Sequence, residues 1–215
     1  MQSSTPIFLP PAHDLEDFFI HDFETIHYSA NILNSLILPR PIAFITTIGM
    51  SGIINAAPFS YFNIACTKPA IVSIAIERRE GHQKDTSRNI TQTKEFVVNI
   101  CSLELAKAIS VASGDFPPEM SEIELTKLSL IPSHVVKPPR VANTFAQIEC
   151  QVHQIIEVGA DPTDLILGKV VKVHLHKNLL NQKGRVDIEK LNPLARLSGT
   201  TYAKIGSFFD IPRGL

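Results

Sequence analysis

The feature that most limits how this chain can fold is a succession of short, β-branched apolar segments with only a turn between them. Residues 41–48 form the first segment, and Gly49-Met50-Ser51-Gly52 separates it from the next, which resumes at Ile53. A gap of this size bounded by glycines is typical of a hairpin loop. The steady strand–helix alternation that a doubly wound parallel sheet requires does not occur in the sequence. The pattern therefore predicts a mainly β chain, folded as an antiparallel barrel with a few covering helices.

Further strands are predicted where β-branched and aromatic residues are concentrated between turn residues. They are expected at residues 70–77, 96–100, 146–158 and 165–175. In the first of these, apolar side chains alternate with small ones, which indicates a strand with one face in the core.

Helices are fewer, and their starts and stops are marked by capping residues and glycine. They are expected at residues 85–93, with Asp85 as the N-cap, at residues 103–113 and at residues 121–128. The segment from residue 179 to the end is rich in turn residues and is predicted to be loop-like.

The length and composition predict one globular domain with short flanking segments. The chain has 215 residues, of which 44% are apolar and 19% charged, so it can bury a sizeable core. Residues 1–28, interrupted by three prolines, are predicted to be an N-terminal extension laid against the body. Residues 29–205 form the predicted domain and residues 206–215 a C-terminal tail.

Charge and cysteine usage exclude several classes of function. The net charge of −1 provides no basic field for nucleic acid or anionic lipid. Cys66, Cys101 and Cys150 form neither a disulfide framework nor a CxxC zinc pair, which indicates reduced thiols. The sequence contains neither a secretory signal nor a run of apolar residues long enough for a membrane span. A cytoplasmic protein without nucleic-acid or membrane partners is expected.

A cationic segment at the start of the predicted helix 85–93 is the first candidate binding motif. Lys84 and Arg88 supply charge and Thr86 supplies a hydroxyl, next to the free backbone N–H groups of a helix start. These are the groups that bind phosphate. Asp85 is an awkward neighbour for a phosphate and is assigned to capping or to pairing with Arg88. The alternative interpretation is a solvated, well-capped surface helix.

A second candidate motif combines small residues, proline and aromatic residues over residues 55–63. Asn55, Ser60 and Asn63 supply hydrogen-bonding groups, and three aromatic residues supply flat apolar surface for a planar ring system. The alternative is a strand that enters a bulge with ordinary core aromatics. Thr46 and Thr47, mid-strand, point to opposite faces, so one of them could reach a ligand.

Histidines near the end of the last long strand form a conceivable metal site. His174 and His176 are two residues apart, and His153 could approach from a neighbouring strand. No cysteine or carboxylate completes a recognised ligand spacing, so surface or core-edge histidines are favoured and no metal is expected. The Rossmann, P-loop and nucleophile-elbow motifs are also missing from the sequence.

Taken together, four motifs occur in this order between residues 39 and 99: Pro39-Arg40-Pro41-Ile42-Ala43, Asn55-x-Ala57-Pro58-Phe59-Ser60-x-Phe62-Asn63, Lys84-Asp85-Thr86-x-Arg88-Asn89 and Phe96-Val97-Val98-Asn99. They resemble the motifs of the flavin reductase-like, FMN-binding split-barrel family, which includes flavoredoxin and the flavin reductase components of two-component monooxygenases. The segment from Pro193 to Tyr202 resembles the closing motif of that family, except that Ser198 stands where glycine is common. The resemblance covers about residues 30–205.

The resemblance implies a six-stranded antiparallel Greek-key split barrel with a few flanking helices. It also implies a homodimer that holds FMN non-covalently near the subunit interface. The positions that match phosphate-binding residues of the family are Lys84, Thr86 and Arg88, with Ser60 as a helper. The positions that match the isoalloxazine and ribityl contacts are Thr46, Thr47, Asn55, Ala57 and Pro58. Arg40, Arg196 and Tyr202 are further matching positions to which no particular contact is assigned.

On this resemblance, the expected activity is NAD(P)H-dependent reduction of FMN, in which nicotinamide delivers hydride to the flavin. No catalytic acid, base or metal ligand is assigned. A monooxygenase or another redox protein is the expected partner. Two alternatives stay open: an FMN electron carrier like flavoredoxin without direct NAD(P)H turnover, and a flavin-free scaffold barrel.

Overall fold

The computed structural model describes residues 29–117 and 119–211. The predicted extension at residues 1–28 and the last four residues of the predicted tail lie outside the described residues.

The described residues are mainly β. In chain order the strands are β1 (Arg40–Pro41), β2 (Ala43–Ile48), β3 (Ile54–Phe59), β4 (Phe62–Thr67), β5 (Ala70–Glu77), β6 (Glu95–Ile100), β7 (Leu130–Ile131), β8 (Arg140–Val141), β9 (Ala146–Val158), β10 (Thr163–Leu175), β11 (Leu194–Arg196) and β12 (Tyr202–Lys204). The α-helices are α1 (Ser29–Leu36), α2 (Asp85–Thr93), α3 (Ala106–Ala112), α4 (Glu122–Thr126) and α5 (Ile188–Leu191).

One antiparallel sheet organises the molecule, with the strand order β3-β2-β6-β9-β10-β5-β4. The predicted fold class is therefore confirmed, although this sheet has seven strands rather than the six expected. The additional strand is β4, which pairs with β5 after a turn at Ser60 and Tyr61. This turn joins the two edge strands β3 and β4, so the candidate segment 55–63 lies where the sheet opens.

The interior of the sheet is filled by branched and aromatic side chains from its central strands. Ile74, Ile76 and Ile166 meet Phe96 there, and Ile90 of α2 closes one end. A second apolar cluster lies on the other face of β2, where Phe44 packs with Ile109 and other residues. Strand β2 is thus buried on both faces, which explains why Ala43, Phe44 and Ile45 are consecutive apolar residues rather than alternating with polar ones.

The predicted helices are found with small changes at their ends. Residues 85–93 are helical as predicted, but Asp85 is not the N-cap: Lys84 holds that position and no side chain caps the helix. Asp85 instead pairs with Arg88, the other role considered for it. The predicted helix 103–113 begins with a 3-10 turn at Leu103–Leu105 before α3, and the predicted helix 121–128 is shortened to α4.

The prediction of a loop-like C-terminal segment is wrong in part. A helix (α5) and two short strands (β11 and β12) occur there, and β11 pairs with β1 to bring Arg196 opposite Arg40. Strands of three residues are too short to show an alternating pattern, so their position depends on partners that are distant in sequence. Among the described helices, none combines the length and apolar character that crossing a bilayer requires.

Candidate functional site

Two adjoining cavities lie at the open side of the sheet, where β3, β4 and β5 approach α2 and α3. Cavity 1 has a volume of about 380 Å³ and cavity 2 a volume of about 350 Å³. Both volumes fall in the range of small-ligand sites. Four residues line both cavities, namely Pro58, Phe59, Lys84 and Ser113. A ligand that extends from one cavity into the other therefore has to pass Lys84.

Most of the predicted cofactor residues line these cavities. Arg40 and Ser60 line cavity 1, Asn55, Ala57 and Thr86 line cavity 2, and Pro58 and Lys84 line both. They come together because β3 runs beside the start of α2. In the β2–β3 register Asn55, Ala57 and Phe59 occupy alternate positions, so one face of β3 supplies all three.

Three of the predicted cofactor residues line neither cavity. Thr46 and Thr47 do point to opposite faces: Thr46 donates a hydrogen bond to the carbonyl of Pro139, and Thr47 accepts one from Asn89 at 3.1 Å. Both are completely buried, so their hydroxyls serve the protein interior. Arg88 is partly exposed and is held by Asp85. Contact of these three residues with a cofactor stays a prediction.

The start of α2 is the strongest candidate for binding an anion. Lys84 has an extended backbone (φ −64°, ψ 156°), and the first hydrogen bond of the helix runs from the Arg88 N–H to the Lys84 carbonyl at 2.9 Å. The amides of the first turn precede that bond, and the helix dipole adds positive potential there. The Arg88–Asp85 pair offsets the acid in this turn, so Lys84 supplies the unopposed charge.

Thr86 and Asn55 form a buried polar pair in the wall of cavity 2. The Asn55 side-chain amide donates to the Thr86 hydroxyl at 2.7 Å, and both residues are almost fully buried. The Thr86 hydroxyl keeps its own proton to donate, and the Asn55 amide has a second N–H. The pair thus presents donors to a ligand while fixing the distance between β3 and α2.

A buried hydrogen-bond network anchors the first part of α2 to strand β10 of the sheet. The Asp164 carboxylate of β10 accepts hydrogen bonds from Arg78, Gln83 and Ser87. Burial alone would raise the pKa of Asp164, but these donors, Arg78 foremost, hold its pKa below the ordinary value. The helix that carries Lys84 and Thr86 is thereby pre-positioned, which a binding site needs.

Glu122 is a buried acid in the wall of cavity 2 that the sequence did not single out. Its carboxylate accepts a hydrogen bond from the backbone N–H of Ala56 at 2.8 Å. Burial raises the pKa of Glu122, and the nearby Asp85 raises it further, although the Ala56 amide opposes both effects. Acids are common in the first turn of any helix, so nothing in the local sequence signals that this one is buried.

The end of cavity 1 is formed by arginine and aromatic side chains. Arg40 is buried and ties the end of α1 to the segment after β11, because it donates to the carbonyls of Asn34, Ile37 and Leu197. Arg196 lies over the Tyr202 ring, 4.7 Å from its centre. Asn34 and Ser113, which also line this cavity, were not predicted because they come from segments distant in sequence.

The histidine cluster of β10 is an internal structural feature. The His174 Nε2 atom lies 2.6 Å from a carboxylate oxygen of Glu149, and its ring packs edge-to-face on His134. Burial would raise the pKa of Glu149, but the His134, Val135 and Val136 amides together with His174 lower it to about 2. Within the described residues no group of three metal-binding side chains forms.

Taken together, the cavities offer the groups that a phosphorylated, planar aromatic molecule requires. Lys84 and the first turn of α2 suit a phosphate, and the Asn55–Thr86 pair and Ser60 suit hydroxyls. Tyr61 provides flat surface in cavity 1, and Phe59 lines both cavities. Phe59 also packs against the core, as Phe62 does. These groups match the charge and hydrogen-bonding requirements of FMN, the cofactor that the family resemblance leads us to expect.

Comparison with known proteins agrees with this site chemistry. Residues 35–190 match the protein-family model of the flavin reductase like domain. An uncharacterised protein of Halalkalibacterium halodurans is 38% identical over 187 residues, which are 85% of this chain and 89% of that protein.

Two solved structures share the fold over nearly the whole chain. Nitrilotriacetate monooxygenase component B from Bacillus cereus is 38% identical, with a TM-score of 0.86 over 90% of this chain and 98% of that one. The 2-nitrobenzoate 2-nitroreductase of Pseudomonas fluorescens is 27% identical, with a TM-score of 0.82 over 92% of this chain and 98% of that one.

Proposed function

Since this chain belongs to the family of flavin reductase-like domains, we propose that it binds FMN in the two adjoining cavities and reduces it with NADH or NADPH. Residues 29–205 are the proposed flavin-binding domain, with residues 1–28 and 206–215 as its extension and tail. The family match over residues 35–190 lies within the proposed domain.

The observation that carries this proposal is the position of Lys84. It starts α2, and it is the cation that lines both cavities among the described residues. A phosphate at this point receives charge from the side chain and hydrogen bonds from the helix start. From there the ribityl chain can follow Asn55, Thr86 and Ser60, while Ala57 and Pro58 allow close approach of the flavin to the backbone.

The residues of this chain bind and orient the flavin and polarise its ring. When bound, the flavin supplies the redox chemistry, since its ring accepts hydride from a nicotinamide. The protein fixes the geometry through donors on β3 and α2 that do not need to reorganise. No acid or base of this chain is assigned a proton-transfer step.

The names of two similar proteins suggest that this chain works with a second protein that uses the reduced flavin. One of them is component B of a monooxygenase and another is a nitroreductase. We propose that this chain supplies reduced flavin to a separate redox protein such as a monooxygenase. Its three cysteines are free thiols, which supports a cytoplasmic location.

A homodimer is the proposed assembly. The outer face of β5, β10 and β9 carries apolar side chains, among them Leu165, Leu167 and Ile156, that point away from the core. Within the described residues, the main contacts of the helices α2, α3 and α4 are with β2 and β3 rather than with this face. Cavity 1 reaches the same face through Ala75 and Glu77, so a second copy bound there would lie beside the flavin site.

The test of the proposed activity is anaerobic mixing of the FMN-loaded protein with NADH and, separately, with NADPH. We expect the flavin to lose its visible absorption. The rate of this loss should saturate as the concentration of one of the two nucleotides increases. A protein that keeps FMN bound but is bleached by neither nucleotide would instead be an electron carrier that another protein reduces. A protein that binds no flavin would be a scaffold barrel.

A further inference from the structure

Glu122 is a buried acid with no cation paired to it within the described part of the chain. The residue is 7% exposed, and the Ala56 amide, 2.8 Å away, is the donor that reaches its carboxylate from another described residue. None of the ion pairs among the described residues includes Glu122. A carboxyl that is buried without a compensating charge favours its neutral form. Burial accordingly raises the pKa of Glu122, so this acid loses its proton at a higher pH than an exposed acid does.

The same residue lies in the wall of cavity 2, on the side where the phosphate of FMN is proposed to bind. Lys84 and Thr86, at the start of α2, line this cavity together with Glu122. Strand β3 is an edge strand of the sheet, and its Ala56 amide donates to Glu122 instead of to a further strand. A charge on Glu122 therefore acts on a ligand held between β3 and the start of α2.

The other charges of this wall are paired or exposed, so Lys84 and Glu122 decide its net charge. Asp85 pairs with Arg88. Arg79 pairs with Asp115 across the opening of the cavity. The remaining titratable residues near Glu122 are exposed: Glu80 and His82 in the wall, and Lys107 of α3 and Glu124 of α4 outside both cavities.

From this arrangement we propose that Glu122 is the residue through which pH controls the affinity for FMN. While its carboxyl is neutral, the charge of Lys84 is available to the phosphate. Once the carboxyl is ionised, its negative charge offsets that of Lys84 and opposes the phosphate. The proposal deepens the proposed function and rests on it, because it takes the FMN phosphate to lie at Lys84. Glu122 acts through the field in the cavity and is not a catalytic residue.

Binding and protonation are linked in both directions. If the neutral form of Glu122 binds FMN more tightly, bound FMN raises the proton affinity of Glu122 by the same factor. The affinity for FMN is therefore constant below the pKa of Glu122 in the free protein and falls as pH rises through it. It becomes constant again above the higher pKa of Glu122 in the complex. Riboflavin, which has no phosphate, should show little of this fall.

The experiment measures the Kd for FMN and for riboflavin by fluorescence titration, over the pH range in which the protein stays folded. Glu122→Gln keeps an acceptor for the Ala56 amide and is neutral at every pH. We expect the ratio of the wild-type Kd to the Glu122→Gln Kd to rise by about fivefold or more across this range for FMN, and to stay constant for riboflavin. Glu124→Gln, at an exposed acid of the same helix, should follow wild type.

Two other groups change charge near neutral pH, and the design separates them from Glu122. The second ionisation of a phosphate makes FMN more anionic as pH rises, which strengthens its attraction to Lys84 and so acts in the opposite direction. Loss of the proton from His82 would act in the same direction as Glu122. His82→Gln is therefore expected to keep the fall in FMN affinity that wild type shows.

The wild-type protein alone decides if Glu122→Gln does not fold. Its preference for FMN over riboflavin should decrease as pH rises, and a constant or increasing preference contradicts the proposal. A fall in FMN affinity that persists in Glu122→Gln, or that disappears in His82→Gln, also contradicts it. Failure of the proposed function is distinguishable from these results, because FMN would then bind at no pH.

Discussion

At the scale of single residues, Glu122 has two roles, one in the packing of β3 and one in the wall of cavity 2. Its carboxylate holds the Ala56 amide, in the strand that supplies Asn55 and Ala57, and it also forms part of the wall of cavity 2. Burial raises its pKa, so the neutral form is favoured in the folded state over a wider pH range than in the unfolded chain. A negative charge at this position would oppose an anionic ligand nearby.

The pH dependence of stability tests this description of Glu122. Between its ordinary pKa of about 4.3 and its raised value, the folded state binds more protons than the unfolded state, so stability falls as pH rises. Glu122→Gln, which keeps an acceptor for the Ala56 amide, should remove this fall. We expect the Tm of wild type to decrease relative to that of the variant as pH rises from the ordinary pKa upward.

Glu124→Gln is the matched control for this measurement, since Glu124 is exposed on the same helix. It should leave the pH profile of wild type unchanged. Parallel Tm profiles for wild type and Glu122→Gln would show that the Glu122 carboxyl is not destabilised by burial.

At the scale of elements, the Phe96 side chain of β6 reaches Gly168 of β10, although β9 lies between these two strands in the sheet. A Cβ atom added to Gly168 would lie 2.3 Å from the tip of the Phe96 ring, which is completely buried. The register of β9 and β10 shifts next to this glycine. Gly168 therefore leaves space for an aromatic residue that fills the interior of the sheet.

Gly168→Ala should destabilise the protein by about 1–3 kcal/mol, the cost of overpacking a core. The measurement is denaturant unfolding, with Gly206→Ala as control because a Cβ there meets no atom. Adding Phe96→Leu to Gly168→Ala should recover part of the loss. Unchanged stability of Gly168→Ala would contradict the close packing of Phe96.

The elements also show what the sequence could predict. The strands β5 and β9 and the helix α2 were predicted with their observed limits, because alternation and turn residues are local signals. Strands β11 and β12 were missed because three residues carry no period, and their pairing with β1 is a long-range property. For the same reason the sequence identified Lys84 and Thr86 as site candidates but not Glu122 or Asn34.

The predicted residues that lie outside the cavities illustrate a further limit. Thr46 and Thr47 were chosen for hydroxyls in mid-strand, yet both hydroxyls bond inside the protein. The alternation of side chains along a strand correctly predicted that these two residues face opposite sides of the sheet. It could not tell that β2 is covered on both sides, which depends on α2 and on the segment around Pro139.

At the scale of the whole molecule, the apolar outer face of β5, β10 and β9 is the surface through which we expect two copies of the chain to form a dimer. Ile156 is 36% and Val158 47% exposed on this face. Sedimentation equilibrium should give twice the chain mass of 23.7 kDa. Ile156→Glu should shift the equilibrium towards the monomer, because a charge would be buried in the interface.

Met50→Glu is the control for the dimer, since Met50 is 77% exposed in the β2–β3 loop, away from this face. It should leave the dimer intact. A monomeric wild-type protein, or a dimer that Ile156→Glu does not weaken, would contradict the proposed interface.

The central claim is that Lys84 and the start of α2 bind the phosphate of FMN between the two cavities. Its most direct test is a fluorescence titration with FMN and with riboflavin, which lacks the phosphate, for wild type, Lys84→Ala and the control Lys107→Ala, at an exposed lysine outside both cavities. We predict that wild type prefers FMN, that Lys84→Ala loses about 10- to 100-fold of that preference, and that Lys107→Ala leaves it unchanged. Equal affinity of wild type for FMN and riboflavin, or a preference that Lys84→Ala leaves intact, would contradict the claim.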